Sequence, residues 1–172
     1  MPDRPVILTG FMGSGKSSVG NQLARSLGIA FTDLDEEIVA AAGKSINRIF
    51  AEDGEAAFRE LESITLERLV QKGQGVIATG GGAVLSAGNR KLMANVGIVV
   101  NLMVSLNQVL ERLADTADRP LFAGSNAPEQ VRILMDDRER YYAEADIRID
   151  TNGKSVEDVA VEILCFLKRF SA

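Results

Sequence analysis

The stretch Val6-Ile7-Leu8-Thr9-Gly10-Phe11-Met12-Gly13-Ser14-Gly15-Lys16-Ser17 sets an apolar run directly before a loop that fits G-x-x-x-x-G-K-[ST] without a mismatch. Glycines let such a backbone wrap so that successive N–H groups point inward, and they leave room for phosphate oxygens. Lys16 supplies a cation for the β- and γ-phosphates, and the Ser17 hydroxyl is placed to ligate Mg²⁺. Val19, Leu23, Ala24 and Leu27 then recur at helical spacing. A helix over 16–27 therefore turns its N-terminus toward the phosphates, where backbone dipoles favour negative charge. A plain strand-to-helix turn would explain the glycines, but not Lys16-Ser17 at this spacing. Strand, loop and helix in this order make the chain an α/β protein that handles a nucleoside triphosphate.

Outward from this unit, apolar runs alternate with helical patterns. Strands are expected near 5–9, 30–33, 75–79, 97–103 and 146–150. Helices are expected across 34–72, near 87–94, and over 106–114, 127–143 and 155–169. Such alternation implies an open, mostly parallel sheet covered on both faces. The 172 residues suit one domain over 1–172, so both substrates must share it. Between the fourth strand's helix and the next, the polar segment 115–126 carries Arg119-Pro120-Leu121-Phe122. A loop of this length reads as a lid, or else as a plain surface connection.

Composition narrows the chemistry. A net charge of −5 argues against nucleic acid or an anionic membrane as the main partner. The absence of histidine removes imidazole acid–base chemistry and makes a conventional zinc site improbable, so a catalytic base must be a carboxylate. Cys165 is the only cysteine, which excludes an internal disulfide, and it is expected on the apolar stripe of the last helix as a small buried thiol. No apolar run approaches the ~20 residues of a membrane span, and Met1-Pro2-Asp3-Arg4 leads straight into a strand, so a cytoplasmic location is expected.

Four constellations can select an acceptor. Thr32-Asp33-Leu34-Asp35 puts two carboxylates at the C-terminal end of a strand, where open α/β sheets build their sites. Asp33 could reach Mg²⁺ through water while Asp35 takes the proton of an acceptor hydroxyl; alternatively Asp35 caps the helix that follows. Phe58-Arg59-Glu60-Leu61-Glu62 sets Glu62 one helical turn after Arg59, either as a solvated ion pair or to fix the guanidinium for a substrate carboxylate. Gly80-Gly81-Gly82 ends the run Val76-Ile77-Ala78-Thr79, which suggests close approach of a ligand to the main chain or a tight turn. Arg119 in the polar segment could swing onto the transferring phosphate, and Arg138, with Tyr142 one turn later, could be a second carboxylate clamp; either could also be a surface charge.

Taken together, these marks occur in the order and approximate spacing seen in shikimate kinases, and the resemblance runs from Val6 to about Ser155. It implies a P-loop fold of the nucleoside monophosphate kinase type, with a five-stranded parallel sheet flanked by helices and a mobile lid. It further implies transfer of the γ-phosphoryl group of ATP to the 3-hydroxyl of shikimate, with Mg²⁺. A monomer is expected. By the same resemblance, Gly13, Ser14, Gly15, Lys16, Ser17 and Ser18 would bind the ATP phosphates, Ser17 would ligate Mg²⁺, and Asp33 would support it through water. Asp35, Arg59, Arg138 and the triple glycine Gly80, Gly81 and Gly82 would hold shikimate, with Asp35 as base and helices over 34–62 framing the acceptor. Arg119 would meet the transferring phosphate, Arg112 would lie against adenine, and 150–155 with Lys154 resembles the adenine loop. The pattern departs at Arg140, where many members carry proline, so the helix bearing Arg138 is expected to continue. A gluconate kinase on the same fold and a non-catalytic nucleotide-binding switch are the alternatives.

Overall fold

Val6, Ile7 and Leu8 are fully buried because their strand, β1 (Val6–Thr9), is the middle of a five-stranded sheet. The computed structural model describes residues 3–114 and 126–170. Strands β2 (Phe31–Asp33), β3 (Val76–Ala78), β4 (Ile98–Met103) and β5 (Ile147–Asp150) complete the sheet in the order β2-β3-β1-β4-β5. All four pairings are parallel, with Leu8 aligned on Ala78 on one side and on Val100 on the other. A parallel strand covered on both faces reads as a continuous apolar run, which is how Val6-Ile7-Leu8 appears in the sequence.

Successive side chains point to opposite faces, so the run divides between two cores. Val6 and Leu8 pack with α1 (Lys16–Leu27) and α8 (Val156–Phe170) through Val19, Leu23, Val159 and Ile163. Ile7 packs into the other layer, built from α2 (Leu34–Ala42), α3 (Ile46–Glu52), α4 (Gly54–Val70), α5 (Ala87–Val96), α6 (Leu106–Ala114) and α7 (Ala127–Tyr142). Each fully buried Leu or Ile in these layers contributes about 1.5–3 kcal/mol. Every strand therefore ends on the same side of the molecule, where the loops to the helices begin.

The helical expectation across 34–72 resolves into three helices. Gly43, at φ 68, ends α2 with its N–H on the Val39 carbonyl, and Ser45 caps α3 by accepting from the Arg48 N–H. A left-handed residue followed by a serine cap reverses the chain cheaply, so the acceptor-side helices fold against one another. A single 3₁₀ turn at Ala83–Leu85, after the triple glycine, was not visible in the periodicity.

One expectation is corrected. Cys165 is exposed, not buried. The buried stripe of α8 runs through Val159, Ala160, Ile163 and Leu167, and Cys165 lies two residues past Ile163, about 200° around a helix of 3.6 residues per turn. No helix among the described residues is long and apolar enough to cross a membrane.

Candidate active site

The loop between β1 and α1 closes around its own lysine. Gly15, at φ 89, enters α1 without any side-chain cap, so the first N–H groups of the helix are left for an anion. Lys16 Nζ donates to the carbonyls of Gly10 at 2.8 Å and Phe11 at 3.0 Å, and reaches Ser14 Oγ at 3.5 Å. An ammonium has three donors and no acceptor, and these contacts to the loop's own carbonyls hold the loop's shape.

Asp33 links this loop to the next strand. Its Oδ2 accepts from Ser17 Oγ at 2.5 Å, while its Oδ1 accepts from the Asp35 N–H at 2.9 Å and so caps α2. The capping alternative for Asp35 is thereby corrected: Asp33 is the cap, because the helix begins at Leu34. Asp35 sits in the first turn with its side chain directed at the triple glycine.

Three consecutive glycines are needed here for space rather than for unusual backbone angles, since none of the three has positive φ. A Cβ on Gly80 would lie 2.9 Å from both Asp35 Oδ1 and Glu62 Oε1. On Gly81 it would stand 3.3 Å from the P-loop N–H of Met12 and 3.7 Å from Arg138 Nη1. On Gly82 it would collide with both terminal nitrogens of Arg59. The close approach expected of a ligand is already made by the protein's own side chains, which line up along the glycines from α2, α4 and α7. The Ala83 N–H closes the turn onto the Gly80 carbonyl at 3.2 Å.

Arg59 and Glu62 form a partly buried pair, not a solvated one. Arg59 Nη1 donates to Glu62 Oε2 at 2.7 Å, and Glu62 is only 1% exposed. Burial pushes the Glu62 carboxyl above its ordinary value, against the opposing pull of the Arg59 guanidinium; the Asp35 charge adds to the rise. Glu62 Oε1 has no hydrogen-bond partner among the described residues. A buried carboxylate in this position locks the guanidinium in one orientation.

Arg138 is 8% exposed, on a helix that continues through Arg140 to Tyr142 as the missing proline implied. Its Cζ stands 5.7 Å from the centroid of the Phe11 ring. Phe11 occupies a variable position of the phosphate-loop pattern, so the motif gave no sign that it packs between the loop and this arginine. Tyr142 donates its hydroxyl to the Gly81 carbonyl at 2.6 Å. Burial pushes that hydroxyl's pKa up to about 12, so it stays a donor.

On the far side of the loop, Arg112 lies over Gly13, donating Nη1 to its carbonyl and Nη2 to Gln108 Oε1 at 3.1 Å. Residues 150–155 are tied to the end of β4: Thr151 donates to the Met103 carbonyl through both N–H and Oγ1, and the Ser105 N–H donates to Asn152 Oδ1. Lys154 is engaged by Glu162 at 2.6 Å. Arg119 and the rest of 115–125 lie outside the described residues.

The geometry therefore sets the P-loop opposite two arginines and a carboxylate. The sequence model of the shikimate kinase family matches residues 12–168. The chain belongs to the shikimate kinase family. The shikimate kinase of Geobacter sulfurreducens is 53% identical over 165 residues, covering 96% of this chain and 91% of that protein. Among solved structures, a shikimate kinase from Acinetobacter baumannii in complex with shikimate superposes with a TM-score of 0.92 at 36% identity, covering 96% of this chain and 93% of the other. A gluconokinase from Sinorhizobium meliloti, at 20% identity and a TM-score of 0.64, shares the fold alone. As an ATP-dependent kinase of the shikimate kinase family, the chain uses the P-loop fold with a five-stranded parallel sheet that the sequence resemblance implied.

Proposed function

We propose that this chain transfers the γ-phosphoryl group of ATP to the 3-hydroxyl of shikimate, giving ADP and shikimate 3-phosphate for the chorismate route to aromatic amino acids. The observation that carries the reading is the triple glycine, along which Asp35, Arg59 and Arg138 converge beside the P-loop. A small acid bearing several hydroxyls needs a carboxylate clamp and a hydroxyl reader, and the two arginines and Asp35 are of those types.

In this reading the acceptor carboxylate lies between the Arg59 and Arg138 guanidiniums, with backbone N–H groups of Gly80, Gly81 and Gly82 along one side. Asp35 accepts the proton of the attacking hydroxyl as its oxygen bonds to the γ-phosphorus and the bond to the β-phosphate oxygen breaks, ADP leaving with the electron pair. Gly13 to Ser18 cradle the phosphates, and Lys16 exchanges the Gly10 and Phe11 carbonyls for phosphate oxygens. Glu62 keeps Arg59 in place and is not the base. Arg112 faces the nucleotide base, with Lys154 at the edge of the adenine loop, and Arg119 acts on the transferring phosphate.

The donors present suit Mg²⁺. Ser17 Oγ and Asp33 Oδ2 are hard oxygens side by side, and no group of three acidic, histidine or cysteine side chains able to cage a metal occurs among the described residues. A magnesium ion bound through one hydroxyl, water and substrate phosphates has that sparse protein shell. When bound there, held by Ser17 and by Asp33 through water, it neutralises charge on the β- and γ-phosphates. The reading extends to a single kinase domain over 1–172, acting as a cytoplasmic monomer without nucleic-acid or membrane partners.

The test is ADP release with Mg-ATP and a panel of shikimate, gluconate, nucleoside monophosphates and no acceptor. Turnover only with shikimate is expected. Equal turnover without acceptor, or faster turnover with gluconate, overturns the assignment.

A further inference from the structure

Arg90 belongs to no motif and lies on α5, behind the triple glycine. Its guanidinium nevertheless meets two separate segments. Nη1 donates to the carbonyls of Val84 at 2.8 Å and Leu85 at 3.3 Å, in the 3₁₀ turn that continues the glycines. Nε pairs with Glu144 Oε2 at 2.9 Å, just past the end of α7. Its Cζ stacks 4.3 Å from the centroid of Tyr141, which also holds Arg140, Cζ 4.7 Å away and Nη2 donating to the Tyr141 hydroxyl at 2.8 Å.

A small pocket of ≈ 40 Å³ lies beside this bracket, with Thr9, Met93, Tyr141 and Glu144 among its lining residues. The polar contacts of Arg90 add to the apolar packing of Tyr141 in setting the spacing between α7 and the glycine turn. That spacing matters because Arg138 is one helical turn before Tyr141-Tyr142, and Gly81 receives the Tyr142 hydroxyl. Tyr142 ties the two segments on the inside, and Arg90 ties them on the outside.

We propose that Arg90 is a positioning residue for the acceptor carboxylate: by bracing the 3₁₀ turn after Gly82 against Tyr141 and Glu144, it fixes the span between Gly81 and Arg138. A planar, five-donor guanidinium can hold two carbonyls, a carboxylate and a ring face at once, which an ammonium cannot. This inference rests on the proposed acceptor. It locates part of the acceptor site's precision in a residue that does not touch the acceptor.

Steady-state kinetics in both substrates, with melting temperatures, test it. Arg90→Met keeps the unbranched stem and is expected to raise the shikimate KM about tenfold while the ATP KM stays within about twofold. Arg90→Lys should recover part of that loss through the Glu144 pair. Should Arg90→Met not fold, Glu144→Ala decides the matter, with an expected rise of about threefold in the shikimate KM alone. A lower melting temperature with both KM values unchanged, or an equal rise in both, overturns the positioning role. Absence of shikimate turnover by the unaltered chain would instead overturn the proposed acceptor.

Discussion

The phosphate loop and the proposed acceptor wall face each other but are built on different principles. The loop is eight consecutive residues, and Lys16 donates to Gly10 and Phe11 and reaches Ser14, each within six positions. The wall takes Asp35 from α2, Arg59 and Glu62 from α4, the glycines from the end of β3, and Arg138 and Tyr142 from α7. The loop's shape is local chemistry, whereas the wall exists only because the strand order puts β3 beside β1 and lays α7 across the glycines. Damage to one should therefore leave the other working, which gives the comparison its tests.

The largest expected effect is on Asp35. Asp35→Asn removes the proposed proton acceptor and should lower kcat by about 10²–10⁴-fold, with the ATP KM within about twofold. Kinetics in both substrates decide it. An equal loss of ATP binding would mean that the two regions are not separable.

Next comes Gly82→Ala. Its Cβ would collide with the terminal nitrogens of Arg59, whose guanidinium Glu62 holds at 2.7 Å. The shikimate KM should rise by roughly 10–100-fold, as expected when a bidentate carboxylate contact is displaced, with ATP binding little altered. Unchanged shikimate affinity would show that Arg59 gives way and that the glycine is not required for space.

The smallest effect is on stability. Burial raises the Glu62 carboxyl above its ordinary 4.5. Just above that value the folded chain keeps a proton that the unfolded chain has lost, so this group makes stability fall as pH rises through the window. Glu62→Gln should flatten that slope in urea unfolding measured over about pH 4 to 7. A slope unchanged from the unaltered chain would remove Glu62 as its source. The phosphate loop contains no carboxylate, so a change confined to it should leave this slope as it is.

How much was legible follows the same division. Gly10 to Ser17 could be read in full because a phosphate loop needs fixed residue types at fixed spacing. The Asp33-Leu34-Asp35 pair was half legible: two carboxylates at a strand end were visible, but which one caps α2 depends on a helix start two residues earlier than a cap at Asp35 would give. Arg59 with Glu62 was visible as a helical pair, while its burial came from the neighbours packed around α4. Phe11 and Arg90 gave no signal, since an aromatic in a variable loop position and an arginine on a helix are ordinary until other segments meet them. Cys165 was misplaced because α8 is apolar around much of its circumference, and only packing shows which stripe is covered.

By itself the sequence determined the parallel α/β class, the P-loop motif, the exclusion of histidine chemistry and the residue types of the proposed acceptor clamp, because each follows from short-range spacing or from composition. Tertiary structure alone decided that Arg59, Glu62, Asp35 and Arg138 share one row of glycines, that Phe11 and Tyr142 join that row to the loop and to α7, and that Arg90 braces it from behind. Those relations join residues far apart in the chain, and their distances are set by how helices pack on the sheet rather than by any local preference of the backbone.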